Sequence, residues 1–570
     1  MFEVDSPTGR KSNLIFKQLF NNMPIYLWYL SVIVVALLIS VPIFSVLMGI
    51  FADHQDIWQH LIDTVLKDYI LNTLYLMLGV TVGVLIIGVG CAWLVTMCEF
   101  IGSNILEWLL LMPLAAPAYI LAFSYTDMLS YFGPVQTWLR SIFAWESIDD
   151  YWFPSIRNMW GAIAMLVLVL YPYVYLLARV AFLEQSVCTL EASRSLGYNP
   201  WQSFIKVALP ASRPSIVAGL ALALMETLND FGTVQYFGVS TFTTGIYRTW
   251  FGMGERVAAA QLASFLMVFI VILIVVERLS RSQARYYQTN NSNQKLPRYS
   301  LNFFRGSLAF ILCSIPVILG FIIPSIYLLN LTLSNQEETL NDSFWELSKN
   351  SFILAIISAF IAIIVGFFMA YGQRLIPHFI INISVRIASM GYAIPGSVIA
   401  VGILIPLGNF DNSLDAWMMN NFNISTGLLL SGTIFGLIYA YLVRFLAVSF
   451  NTVESSLSKI KPNLDDASRS LGYGAFSTLF KVHLPLMWGG ILTAVMLVFV
   501  DVLKELPATL VMRPFNFDTL AVRVYQYASD ERLIEASAPA LTIILVGILP
   551  VIILSYRIAR SRVGNNLVKN

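Results

Sequence analysis

Charged residues are scarce in this chain of 570 residues: they make up only 12% of it, whereas 58% of the residues are hydrophobic. A soluble protein of this size needs far more polar surface, so a soluble globular protein is excluded. The net charge is only +1, which leaves no electrostatic basis for a nucleic-acid partner. The composition instead predicts a polytopic membrane protein, surrounded by lipid, with room for about a dozen spans of roughly 20 residues.

Residues that commonly build metal or catalytic centres are also few. The four cysteines lie in or beside apolar runs without a C-x-x-C pair, and the four histidines are scattered. We therefore expect no disulfide framework and no His-based metal cluster. The chain has no G-x4-G-K-[ST] phosphate loop and no evident grouping of a nucleophile with a base. These absences predict that the chain is not an enzyme, has no catalytic residues and binds no cofactor itself.

Twelve apolar runs are long enough to cross a membrane as helices. They lie near residues 27–50, 69–98, 105–131, 160–183, 212–235, 258–277, 304–330, 350–372, 387–408, 426–449, 487–510 and 535–556. Their continuous apolar character favours helices over a barrel, whose strands alternate in polarity. The first run is too long for the hydrophobic region of a cleavable signal peptide, so we expect it to be a permanent span.

The distribution of lysine and arginine predicts the orientation of these spans. With the N-terminus inside, the inner segments carry 23 lysines and arginines, and the outer loops carry nine. Positive residues are enriched on the cytoplasmic side of membrane proteins. Both termini are therefore expected to lie in the cytoplasm.

The two halves of the chain are copies of each other. The heptapeptide ASRSLGY occurs at 192–198 and again at 467–473, an offset of 275 residues, and near the start of each half an offset of 278 pairs Pro117 with Pro395. We predict a first repeat at 1–277, a polar, basic cytoplasmic linker at 278–303 and a second repeat at 304–570. Because each repeat has an even number of spans, the repeats are parallel and related by a pseudo-twofold axis along the membrane normal. The expected fold is an all-α polytopic membrane protein with two six-helix repeats, an arrangement suited to a transporter.

A polar segment between the fourth and fifth predicted spans occurs once in each half, and we call these the first and second docking segments. Their shared residues are Glu191, Ala192, Ser193, Gly197, Leu209 and Pro210 in the first and Asp466, Ala467, Ser468, Gly472, Leu484 and Pro485 in the second. The pattern predicts a short helix with an acid in its first turn, a glycine turn, a second short helix and a proline before the fifth span.

Both docking segments resemble the "EAA" loop of binding-protein-dependent ABC importer permeases, E-A-A-x3-G-x9-I-x-L-P. Serine replaces the third residue and valine the isoleucine in both copies, and aspartate replaces the glutamate in the second. The resemblance implies that each segment is a coupling helix that docks on a cytoplasmic ATPase. Two ATPase copies, which use ATP and Mg²⁺, and a solute-binding protein on the outer face are therefore expected as partners.

The fifth predicted span of each half carries two acids four residues apart, a spacing that places both on one face of a continuous helix. The acids are Glu226 and Asp230 in the first half and Asp501 and Glu505 in the second. With Lys504 they carry a formal charge of −3, which suits a cationic substrate and disfavours sulfate, phosphate or molybdate. The alternative is that Lys504 pairs with an acid and the acids hold helices together. Arg444 in the tenth span is expected either to pair with an acid or to extend to the membrane surface, with a structural role favoured.

The sequences around these acids, 226–252 and 504–540, resemble the fused, double-length ferric iron permeases of bacterial inner membranes, and the resemblance covers nearly the whole chain. It implies a multi-pass inner-membrane protein that takes up Fe³⁺ from a periplasmic ferric-ion-binding protein, with the four acids as transient ligands of the ion. Permeases for thiamine or polyamines remain alternatives for the substrate. An ion-coupled secondary transporter is an alternative of another class, as is a membrane enzyme or scaffold.

Overall fold

The computed structural model describes residues 7–51, 55–183, 195–282, 298–375 and 378–560. In the first half the helices are α1 Pro7–Gly49, α2 Gln55–Leu61, α3 Lys67–Met97, α4 Ser103–Leu109, α5 Ala118–Met128, α6 Pro134–Phe143, α7 Met159–Leu183, α8 Pro200–Ser203, α9 Leu209–Asn229, α10 Gly232–Tyr236, α11 Phe242–Tyr247 and α12 Arg256–Ser282. Two-residue strands, β1 Cys98–Glu99 and β2 Tyr299–Ser300, pair in parallel and join the two halves.

In the second half the helices are α13 Phe303–Val317, α14 Ile323–Ser334, α15 Gln336–Thr339, α16 Asp342–Leu375, α17 Phe379–Ala388, α18 Gly396–Phe422, α19 Ile434–Leu457, α20 Asn463–Ser470, α21 Ala475–Thr478, α22 Leu484–Leu503, α23 Pro507–Met512, α24 Leu520–Ser529 and α25 Leu533–Arg560. Five short π-helical turns, Ile62–Leu66, Phe204–Ala208, Arg248–Gly252, Ile318–Ile322 and Leu479–His483, and three 3₁₀ turns, Met112–Ala115, Ile148–Asp150 and Gly391–Ala393, complete the described part of the chain.

The helices confirm the predicted all-α membrane fold. Within the described ranges, 11 helices are long and apolar enough to cross a membrane, and a bent pair, 103–115 and 118–128, brings the number to at most 12. The predicted third span is this bent pair, with an angle of 91° between its parts. The predicted ninth span, 387–408, was misplaced, because the chain breaks before Gly396 and the long helix runs to Phe422. Both errors have one cause: a proline breaks the helix inside an apolar run.

Close packing of small residues joins neighbouring spans. Helices α3 and α7 approach so closely that a Cβ atom on Gly79 would lie 2.5 Å from Ile163, and one on Gly83 would lie 2.4 Å from Val167. In lipid, helix association depends on such close contact, since burial of apolar side chains away from water no longer drives it. The glycines of α3 therefore fix the distance between these two spans.

The first helix of each half crosses over and packs on the other half. In α1, the Trp28 ring stacks on Phe368 of α16 with 3.9 Å between centroids, and α1 also packs along α17 and α18. In the reverse direction, the hydroxyl of Tyr125 in α5 donates to the carbonyl of Leu319, 2.7 Å away. The repeats of the sequence are thus interlocked in space, and the remaining spans meet along a central interface.

Candidate functional site

Four helix interruptions meet at the central interface. Helix α9 ends at Asn229, and two residues separate it from the short helix α10. Helix α22 ends at Leu503, and three residues separate it from the short helix α23. Helices α5 and α18 begin directly after Pro117 and Pro395, whose backbones are extended. Non-helical backbone inside a membrane is tolerated only where it is buried in protein or lines a cavity. The interruptions therefore mark a functional region at the interface of the halves.

The interruptions line a partly open cavity of about 110 Å³. Its polar lining residues come from both halves and are Tyr119, Tyr173, Glu226, Asn229, Asp230, Tyr392, Arg444, Asp501, Lys504 and Glu505. All four acids predicted from the sequence line this one cavity. The structure thus brings together residues that are up to 279 positions apart, from Glu226 to Glu505.

On the first-half side of the cavity, the two acids differ in their bonding. Asp230 caps α10: one carboxylate oxygen accepts from the backbone N–H of Val234 at 3.0 Å, and the other accepts from the hydroxyl of Thr233 at 2.9 Å. Glu226 lies in the last turn of α9 and has no hydrogen bond or ion pair within the described residues. Glu226 is therefore the carboxylate most available to a ligand.

On the second-half side, both acids are paired with cations. The Lys504 ammonium lies 2.8 Å from the Asp501 carboxylate. The Arg444 guanidinium lies 3.1 Å from the Glu505 carboxylate, and each of these two side chains is only 4% exposed. Glu505 also accepts from the backbone N–H of Ala508 at 3.0 Å, so it caps α23 as Asp230 caps α10. The pairing of Lys504 with Asp501 lies within the end of α22, so it joins no second helix, and Glu226 has no ion pair among the described residues.

Asn229 joins the two halves at the cavity wall. Its side-chain carbonyl accepts from Arg444 and from the backbone N–H of Gly396, both at 2.8 Å and both in the second half. At the 275-residue offset, Asn229 corresponds to Lys504. A Cβ on Gly396 would lie 2.5 Å from Glu505 and 2.6 Å from Arg444, so only glycine fits at this contact.

Two sequence interpretations of this site need correction. The acids of each pair do not share one continuous helix, because Asp230 and Glu505 lie beyond the last residues of α9 and α22. Arg444, which pairs with Glu505, adds a second cation to the cavity lining, so four carboxylates and two cations give a formal charge of −2 instead of −3. Among the described residues, no three His, Cys, Asp or Glu side chains are close enough to hold a metal ion. The four acids therefore line the cavity without forming a ready-made ligand cluster among the described residues.

Sequence reasoning also missed the phenol of Tyr119. Its hydroxyl is buried and has no hydrogen-bond partner in the part of the chain that the structure describes. Ser397, which corresponds to Tyr119 at the 278-residue offset, has a buried, unpartnered hydroxyl as well. Both residues follow the two prolines by two positions, which was the available sequence signal. Of the two, Tyr119 lines the cavity and adds a neutral oxygen beside the carboxylates.

The second docking segment has the expected local structure. Helix α20 carries Asp465 and Asp466 in its first turn, where the helix dipole favours acids. The side chain of Asp466 is 73% exposed, and Gly472 turns the chain with φ +81°. The following π-helical turn runs directly into α22, so the second short helix and the fifth span are one continuous helix and not two elements.

The first docking segment is only partly described. Glu191, Ala192 and Ser193 lie outside the described residues. Gly197 has φ +80°, nearly the value of Gly472. Leu209 and Pro210 begin α9, just as Leu484 and Pro485 begin α22. The described parts of the two segments are therefore alike in backbone structure.

Comparison with known proteins agrees with this symmetry. The sequence profile of the family "Binding-protein-dependent transport system inner membrane component" matches twice, at residues 84–285 and 362–564, which confirms the internal repeat. The Fe(3+)-transport system permease protein FbpB 2 of Haemophilus influenzae is 26% identical, over 85% of this chain and 88% of that protein. A second protein of H. influenzae, the putative ferric transport system permease protein FbpB 1, is 23% identical over 75% of this chain and 66% of its own length. The putative 2-aminoethylphosphonate transport system permease protein PhnU of Salmonella choleraesuis is 26% identical over 40% of this chain and 79% of its own length.

Proposed function

Because the chain belongs to the family of binding-protein-dependent transport system inner membrane components, we propose that it is the membrane-spanning subunit of an ATP-driven importer of ferric iron. It is a multi-pass membrane permease of the ABC type, and its two repeats form both halves of the translocation unit. The cargo, the partners and the roles of individual residues are the content of the proposal.

The observation that carries the cargo assignment is the charge of the central cavity. Four carboxylates and two cations face one space, and the excess negative charge attracts a cation. Ionisable groups at this depth in a membrane protein usually mark an ion path. Carboxylate and phenol oxygens are hard ligands, which Fe³⁺ as a hard cation prefers. The two relatives from Haemophilus influenzae are named as ferric transport permeases, and one of them matches 85% of this chain.

Glu226 is the residue we assign to first contact with the cation. Its carboxylate is the one of the four that has no ion pair or hydrogen bond in the described structure. Binding there requires no existing contact to break, whereas binding to Asp501 or Glu505 must displace Lys504 or Arg444. Asp230, Asp501 and Glu505 would then serve as later ligands when the halves move apart and these pairs loosen.

The hydrogen bonds of Asn229 suggest how movement of the halves changes access. They connect the end of α9 in the first half to Arg444 and Gly396 in the second. Rocking the halves apart would break these bonds and widen the cavity between the two acid pairs. Alternating access would therefore open and close the cavity at the point where the acids lie.

Energy for this movement is proposed to come from two copies of a cytoplasmic ATPase, one at each docking segment. These ATPases would bind ATP and Mg²⁺, and this chain would bind no cofactor. A periplasmic ferric-ion-binding protein would deliver the ion to the opposite face. The exposure of Asp466 and the similar left-handed turns at Gly197 and Gly472 support this role, because they leave an acid of the second segment open to a partner and give both segments the same turn.

Uptake of radioactive iron tests the proposal directly. The chain is reconstituted in proteoliposomes with its ATPase and the iron-loaded binding protein, and Glu226, Asp230, Asp501 and Glu505 are each changed to the amide. Glu454→Gln is the matched control, since Glu454 is an exposed acid of α19 away from the cavity. We expect ATP-dependent iron uptake that falls in the cavity variants and persists in the control. Unimpaired uptake in all four variants would remove the acids from the mechanism, and competition by thiamine or a polyamine would reassign the cargo.

A further inference from the structure

Asp465, the first acid of the second docking helix α20, contacts two membrane helices at once. One carboxylate oxygen accepts from Arg374 Nη2 at 2.6 Å and from Arg374 Nε at 3.1 Å. The other oxygen lies 2.7 Å from Nε2 of His483. Its neighbour Asp466 points to solvent, so the two adjacent acids face opposite sides of the short helix.

Arg374 ties further backbone to the same point. It lies in the last turn of α16 and donates to the carbonyl of Leu457 at 2.6 Å and to that of Ile460 at 2.9 Å. These carbonyls belong to the end of α19 and to the connection that leads into α20. The guanidinium therefore donates hydrogen bonds both to backbone carbonyls at the end of α19 and to the Asp465 carboxylate. The several N–H groups of arginine permit such multiple hydrogen bonding.

His483 connects the same carboxylate to the wall of the cavity. Its side chain is completely buried and lies in the π-helical turn that continues into α22. The other end of α22 carries Asp501, about 26 Å away along a continuous helix. A displacement of α20 is thus transmitted through Asp465 and His483 to a rigid element that ends in the cavity.

The first half does not have these residue types at the corresponding positions. At the established offsets, Thr96, Leu190 and Ala208 stand where the second half has Arg374, Asp465 and His483. By contrast, the hydroxyl contact of Ser468 with Thr478, 2.6 Å in the second half, has hydroxyl residues at both corresponding positions of the first. The two docking segments therefore share their repeated sequence pattern and differ in residue type at these three positions.

We propose that Arg374, Asp465 and His483 form a clasp that transmits ATPase movement from the second docking helix to the cavity. The inference rests on the proposed function, because it assumes that ATPases bind the docking segments. The three residues are positioning residues: they touch neither the cargo nor the ATPase.

Asp465→Asn in the complete complex with ATPase and binding protein tests the clasp. The amide keeps the size of the side chain and loses the charge that Arg374 and His483 share. We expect the ATPase to co-purify as with the unchanged chain and to hydrolyse ATP at a rate within about twofold of it. The iron imported per ATP hydrolysed should fall by about tenfold, which lies within the usual range of coupling between two sites. Asp466→Asn should instead reduce ATPase co-purification, and Glu454→Gln should change neither quantity.

Three results would overturn the clasp. One is an unchanged ratio of iron to ATP in Asp465→Asn, and another is loss of ATPase co-purification, which would show that Asp465 only maintains the docking helix. If Asp465→Asn does not fold, His483→Asn is used instead, and the iron imported per ATP hydrolysed should again fall by about tenfold. The third contradicting result is a ratio in His483→Asn equal to that of the unchanged chain. An unchanged chain that neither binds an ATPase nor imports iron would refute the proposed function itself, whatever the variants do.

Discussion

The ion pair of Arg444 and Glu505 offers a quantitative test of the cavity. Both side chains are 4% exposed, and Arg444 is also the donor to Asn229 across the interface. Changing Arg444 to Leu leaves Glu505 as a buried carboxylate without its cation and leaves Asn229 without one of its donors. Removing one partner of a buried pair costs about 3–5 kcal/mol. We therefore expect Arg444→Leu to lower the free energy of unfolding by about that amount.

A double-mutant cycle separates the pair from its surroundings. Glu505→Gln removes the charge of the carboxylate and retains an oxygen that can accept from Ala508 N–H. Combined with Arg444→Leu, it should recover most of the lost stability, because no unpaired charge remains, and the coupling energy should be about 2–3 kcal/mol. Unfolding in mixed micelles, followed by far-ultraviolet circular dichroism, measures the four free energies.

The exposed pair of Arg157 and Glu531 is the matched control for this cycle. These side chains are 43% and 76% exposed, and their charged atoms are 3.4 Å apart. Exposed pairs contribute about 0–1 kcal/mol, so Arg157→Leu should have little effect. If Arg444→Leu costs no more than Arg157→Leu, or if the double variant is no more stable than the single one, the account of the buried pair is refuted.

Three further predictions concern single positions. Glu226→Gln should reduce iron uptake by about tenfold or more, because an unpaired charge at the cavity is lost. The free energy of unfolding should stay unchanged. A fall in both iron uptake and the free energy of unfolding would indicate that Glu226 stabilises the fold and does not bind the ion. Gly396→Ala should cost about 1–3 kcal/mol of unfolding free energy, because the new Cβ would lie 2.5 Å from Glu505, and a fully stable variant would contradict the described contact. Gly472→Ala should cost about 1 kcal/mol and weaken ATPase co-purification, since φ is +81° there. Gly474, which has open space around it and no positive φ, is its control, and equal effects at both glycines would exclude the turn as the cause.

The sequence was sufficient for the fold and for the acids of the cavity. Long apolar runs can be identified directly in the sequence, and the duplication by itself pairs Glu226 with Asp501 and Asp230 with Glu505. That all four line one cavity follows from the pseudo-twofold arrangement of the repeats. Symmetry therefore supplied the three-dimensional information that composition alone lacks.

The partners of these acids were beyond prediction from the sequence. Arg444 lies 61 positions from Glu505, inside an apolar run, and the sequence does not show which way its side chain points. The helix end at Asn229 was also missed, because no proline follows it within the next four residues, whereas Pro507 gave a signal in the second half. The start of the next helix, α10, depends on Asp230 accepting from the backbone N–H of Val234, a contact that only the folded structure reveals.

The attachment of the docking helix was equally hidden. Arg374 and Asp465 are 91 positions apart and belong to segments that the repeat pattern treats separately. The repeated heptapeptide shows only what the two docking segments share. Their difference appears when the contacts of Asp465 are compared with the residues at the corresponding positions of the first half.

ATP hydrolysis by the reconstituted complex, with and without iron-loaded binding protein on the outer face, tests the central claim most directly. The account predicts that the iron-loaded binding protein stimulates hydrolysis several-fold above the iron-free form, with two ATPase copies bound to each chain, and that iron enters the vesicles at the same time. Iron uptake that proceeds without any ATPase and follows a proton or sodium gradient would contradict it.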